Sequence, residues 1–164
     1  MQKRVNYREA IVEQLDSVRA LVGPHHDLIR EMESRNGRLQ ELYAEYDKFG
    51  LGMIVAMDSG ESHCIVLPDA SHPGMYRFTT FRSIGWTGHQ TYGDPEEAIY
   101  RAFEAGYRKL VPRDYLDQLA ATPEWQKGCA RLPFIEKMNA GEISYTQMLE
   151  EFAKIESSFT AQAA

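Results

Sequence analysis

A chain of 164 residues with 43% hydrophobic and 26% charged side chains has the make-up of a globular domain, which excludes a disordered, collagen-like or membrane-spanning protein. No apolar run approaches the roughly 18 to 20 residues that a bilayer span needs. The net charge of −6 opposes a DNA-coating role, because such a role needs a basic surface that releases counterions.

The basic start Met1-Gln2-Lys3-Arg4 is not followed by the apolar stretch of a signal peptide. A cytoplasmic protein without a membrane partner is therefore expected. Cys64 and Cys129 lie far apart and have no CxxC neighbour, so zinc-ribbon and thioredoxin-like readings fail and two buried free thiols are predicted.

In chain order, Ile11, Leu15, Val18 and Val22 fall at 4-3-4 spacing and predict a helix from about Tyr7. Gly23-Pro24 stops it. Leu28, Met32, Leu39, Leu42, Tyr46 and Phe49 predict a second helix, kinked or split at Asn36-Gly37. The short turn between the two makes an antiparallel helical hairpin, with Tyr43, Tyr46 and Phe49 as core aromatics. Met53–Met57 and His63–Leu67 read as strands joined by the turn Asp58-Ser59-Gly60. In the second of these, Cys64 is expected to point inward and His63 outward. Residues 68–74 form a loop, and Met75–Arg82 and Trp86–Tyr92 read as two further strands around a Ser83–Gly85 turn. Four strands without intervening helices predict an antiparallel meander.

Asp94-Pro95-Glu96-Glu97 is a strong helix start, with an N-cap, a proline at the first position and acids at the positive end of the dipole. Ala98, Ile99, Ala102, Phe103 and Ala105 are expected to supply its packing face, and Gly106 its left-handed end. Asp114–Leu119, a start at Thr122-Pro123, a separate short turn over Phe134–Met138 and a helix opened by Ser144 and Gln147 complete the chain. The expected fold is thus α+β: an N-terminal helical hairpin (1–49), a small antiparallel sheet with a packed helix (50–110) and C-terminal helices (111–159). These make one domain over 1–159, followed by a frayed tail at 160–164.

No catalytic or cofactor motif survives inspection. The five histidines lack HxxxH or HExxH spacing, so no metal site is predicted. His63 and Cys64 are strand neighbours whose side chains diverge. Glycines near residue 88 lack the spacing and lysine of a phosphate loop. What stands out is the stretch 75–92, which holds no acidic residue in an acidic protein. It carries Arg77, Arg82, Trp86, His89 and Tyr92, residue types that anchor protein interfaces and stack on bases.

The run Gly85-Trp86-Thr87-Gly88-His89-Gln90-Thr91-Tyr92, with Asp94-Pro95-Glu96-Glu97-Ala98-Ile99 and Ala105-Gly106-Tyr107, resembles a hairpin–helix segment of small accessory domains in phages, plasmids and conjugative elements. The resemblance spans residues 75–110 and implies a mobile-element origin and an accessory role, such as inhibition of a host defence system. It transfers no catalytic residues. The expectation is a non-enzymatic protein-binding module with Arg77, Arg82, Trp86, His89 and Tyr92 as its contacts. The alternatives are single-stranded nucleic-acid binding by the same strands, or a small enzyme using His89 with Ser83 or a carboxylate. The helical hairpin also suggests a homodimer.

Overall fold

The computed structural model describes residues 5–162. The first helix, α1 (Tyr7–Val22), starts where the Asn6 side chain accepts hydrogen bonds from the backbone N–H groups of Arg8 and Glu9 at 3.2 and 3.3 Å. Gly23, at φ +88°, ends it ahead of Pro24. The second helix, α2 (Asp27–Phe49), runs unbroken through Asn36-Gly37, contrary to the expected kink or split. An exposed glycine inside a helix costs about 1 kcal/mol. Burial of Ile29, Leu39, Leu42 and Tyr43 along the same helix outweighs it. Asn36 also ties the hairpin together, donating from Nδ2 to the Ile11 carbonyl at 3.3 Å. Phe49, expected in the core, is about half exposed, with the Lys48 ammonium 4.7 Å from its ring centre.

Five strands follow, not four: β1 (Ile54–Met57), β2 (His63–Pro68), β3 (Tyr76–Arg82), β4 (Gly85–Tyr92) and β5 (Tyr107–Val111), in the antiparallel order β4-β3-β2-β1-β5. Val55 lies opposite Cys64 on one side and Leu110 on the other. The fifth strand escapes sequence reading because Arg108-Lys109 at its centre is poor strand composition. The helix before it, α3 (Pro95–Glu104), is capped as expected. Asp94 accepts from the Glu96 N–H at 2.8 Å, and Gly106 at φ +99° turns the chain back into β5. The expected outward His63 is only 8% exposed. Its strand is interior to the sheet and every residue from His63 to Val66 is buried, so neither side-chain direction leads to water.

The last third forms α4 (Tyr115–Ala120), α5 (Pro123–Asn139) and α6 (Tyr145–Gln162). Phe134–Met138 is not a separate turn but the end of α5, which continues through Pro133. Ser144 and Gln147 form the predicted reciprocal cap: Gln147 N–H donates to Ser144 Oγ at 3.2 Å, and Ser144 N–H to Gln147 Oε1 at 2.8 Å. Helix α6 extends to Gln162, through the first residues of the expected frayed tail; 163 and 164 lie outside the described residues.

Contacts divide the chain into two compact units. The first holds the chain up to Thr79 together with His89–Val111. Its core joins Leu39, Leu42 and Tyr43 of α2 to Val55, Cys64, Val66 and Phe78 of the sheet and to Ile99, Ala102 and Phe103 of α3. The second holds the hairpin tip Thr80–Gly88 and everything from Pro112 on.

Candidate functional site

The hairpin tip of the second unit is the most deliberately built feature of the region that the sequence singles out. Thr87 Oγ1 donates to Thr80 Oγ1 at 2.8 Å, and Thr80 Oγ1 donates to the Gly88 carbonyl at 3.1 Å, clamping the two strands. Beneath them Phe81, Trp86 and Trp125 form a triangle of edge-to-face contacts, with ring centres 5.5, 5.7 and 5.2 Å apart. Each such pair is worth about 0.5–1.5 kcal/mol beyond the area it buries. Trp125 enters through the first turn of α5, where Thr122 Oγ1 accepts from its backbone N–H at 3.3 Å.

One turn further along α5, backbone meets backbone. A Cβ on Gly128 would lie 1.7 Å from the Ile84 carbonyl oxygen, so only glycine lets the turn of the hairpin rest on the helix. Lys127 Nζ donates to Glu156 Oε2 at 3.0 Å and Arg131 pairs with the same carboxylate, joining α5 to α6. These two cations hold the Glu156 carboxyl below its usual range. From this seat Arg82 and Ile84 face water, Ile84 being 62% exposed.

The five sequence-predicted residues therefore fall into two groups. Arg82 and Trp86 belong to the second unit, with Arg82 exposed and Trp86 half-buried in the aromatic triangle. Arg77, His89 and Tyr92 belong to the first unit. There Arg77 is half-buried and His89 exposed. Tyr92 stacks on Phe78 at 5.9 Å and donates its hydroxyl to Gln90 Oε1 at 2.6 Å. Both aromatic rings thus have packing roles within the fold. Sequence reasoning passed over Ile84, Trp125 and Gly128. An isoleucine inside a serine–glycine turn is the available signal, since turns favour polar residues there.

Two polar clusters of the first unit hold charged groups. A cleft of about 520 Å³ is lined by Val5, Asn6, Arg8, Asp47, Asp94 and Glu96. Both terminal nitrogens of its guanidinium are committed to carboxylates: Arg8 makes a bidentate pair with Asp47 (2.7 Å twice) and reaches Glu96 at 2.8 Å, and the group lies 4.6 Å from the Tyr43 ring centre. The Arg8 hydrogen bonds hold the Asp47 carboxyl below its usual range. Asn6 and Asp94 cap helices, so the cleft reads as structural. Elsewhere Asp69, whose side chain is 2% exposed, accepts from Thr91 Oγ1 at 2.6 Å, Ser71 N–H at 2.8 Å and His72 N–H at 3.1 Å. Those bonds hold its carboxyl far below the usual range and spend it on shaping the loop after β2.

Burial pushes the Cys64 thiol up, out of the range of a nucleophile, and pulls the His63 imidazole down. Both cysteines are free, Cys64 buried and Cys129 half-buried. Among the described residues, no group of three or more His, Cys, Asp or Glu is placed to hold a metal ion, and no helix is long and apolar enough to cross a membrane. No protein-family model matches the chain, and neither a curated protein nor a solved structure is significantly similar to it.

Proposed function

We infer that the protein is a non-enzymatic protein-binding module whose contact point is the tip of the β3–β4 hairpin. The observation that carries this reading is the exposure of Ile84 and Arg82 on a turn seated against Gly128 and backed by three aromatic rings. Exposed apolar and arginine side chains on a pre-organised support lose little entropy on binding, the usual condition for an interface hot spot. The matching partner surface is an apolar pocket with a carboxylate at its rim. Within this proposal, the mobile-element resemblance of residues 75–110 makes a host defence protein the first class of partner to examine.

Affinity capture of the tagged protein from its native host, with half of the lysate nuclease-treated, tests it. A stoichiometric protein partner is expected to survive nuclease. Ile84→Asp or Arg82→Ala should weaken its binding by at least about tenfold, with tryptophan fluorescence unchanged. Material lost with nuclease would shift the reading to single-stranded nucleic acid. A partner retained by both variants would remove the hairpin tip from the interface.

A further inference from the structure

The sheet has two edges, and they are defended differently. The β5 edge is five residues long, carries Arg108 and Lys109 and is followed closely by Pro112. Lysine, proline and brevity are the ordinary means by which an edge strand avoids pairing with another chain. The β4 edge is eight residues long and contains no Lys, Arg, Asp, Glu or Pro. Its middle, Thr87-Gly88-His89-Gln90, is exposed throughout. The bulky side chains near its ends are engaged within the protein, Trp86 with Phe81 and Trp125, and Tyr92 with Phe78. What remains in the middle is small or slender, so another backbone can approach closely.

We propose that β4 is a self-association edge: two copies of the chain pair β4 antiparallel to β4 about a two-fold axis, joining their sheets into one. Charge selects this occupant. In a two-fold pairing each strand meets its own sequence reversed, so a lysine or glutamate near its middle would be brought close to its symmetry mate, and like charges across a strand pair are destabilising. A molecule of net charge −6 resists self-association over most of its surface, and β4 is a strand where that cost is absent. The β5 edge fails the same test, because Arg108 and Lys109 of two copies would be brought together. The proposal is independent of the hairpin-tip reading, which concerns Arg82 and Ile84 at the turn.

Sedimentation velocity on the full chain, from low to high micromolar concentration, reads the association directly. The wild type is expected to dimerise as concentration rises, with amide exchange slowing over 87–92 in step. His89→Lys and, separately, Gln90→Lys put a charge on the exposed edge. Each should weaken dimerisation by about tenfold or more and abolish the concentration-dependent protection, while circular dichroism and tryptophan fluorescence stay as in the wild type. A wild type that stays monomeric throughout overturns the proposal. So does a dimer untouched by both lysines but dissociated by Leu21→Lys on the exposed end of α1, which would place the contact on the helical hairpin.

Discussion

The two units hold themselves together by different means. The first spreads its stability over a continuous apolar core, in which α2 and α3 cover the sheet and many side chains share the load. The second has few fully buried side chains and relies on a small number of specific contacts: three rings, one glycine and a carboxylate shared by two cations. A distributed core makes each deletion a matter of volume removed. A concentrated one makes the outcome depend on whether a particular contact survives. Both tryptophans of the chain, Trp86 and Trp125, lie in the second unit, so their fluorescence reports on it alone.

Phe103→Ala is expected to have the largest effect. The ring is fully buried in the first unit, between the guanidinium groups of Arg35 and Arg108 at 5.5 and 5.2 Å. Removing such a ring costs about 3–5 kcal/mol. The loss should appear as a lower midpoint in denaturant unfolding followed by far-ultraviolet circular dichroism. A loss below about 1 kcal/mol would mean that the core relaxes around the cavity, and that the load is less evenly shared than described.

Gly128→Ala comes next. One methyl group adds almost no volume, yet it must displace the Ile84 carbonyl, which belongs to the backbone and cannot rotate aside. Overpacking of this kind costs about 1–3 kcal/mol. The tryptophan emission should shift to the red as the hairpin tip lifts from α5, at denaturant concentrations where circular dichroism is still native. Coincident transitions would show that the chain unfolds as one cooperative body. Unchanged emission would remove the glycine contact from the account of how the tip is held.

These cases also show what the sequence discloses. The bounds of α1 and α3 were legible because their signals are local: Asp94 caps α3, Gly23 and Gly106 stop the two helices, and the apolar spacing lies between. The cap of Ser144 and Gln147 was legible for the same reason. Where tertiary contact decides, local reading fails. Asn36-Gly37 looks like a break until the residues around it are buried. Arg108-Lys109 conceals a strand that exists because β1 has an open side. Phe134–Met138 reads as a separate short turn, yet α5 continues through Pro133 to Asn139. The stretch 75–92 stands out by composition, but composition could not say that Trp86 and Tyr92 pack against Phe81 and Phe78. Nor could it pair residue 84 with residue 128, since that contact is between backbones and leaves no side-chain pattern.

The smallest expected effect belongs to Asp69, and it separates a local polar anchor from the shared core. Thr91, the Ser71 and His72 amides and the His72 ring all favour the charged carboxylate, so its folded-state pKa lies below the unfolded value. The stabilisation is therefore complete above the ordinary carboxyl pKa of about 3.9 and is lost progressively as pH falls below it. The consequence should be confined to the loop after β2, where Asp69 N–H donates to the Met75 carbonyl at 2.9 Å and Met75 N–H to the His72 carbonyl at 3.0 Å. Amide exchange at Asp69 and Met75 should accelerate, beyond its intrinsic pH dependence, as the pH drops through that window in the wild type. In Asp69→Asn, which has no carboxylate to protonate, exchange should be faster at neutral pH and free of this acid-induced step. An identical acid response in both proteins would show that other carboxylates govern the loop. Acceleration spreading to the Val55 and Leu110 amides would show that the anchor supports the core itself rather than a loop beside it.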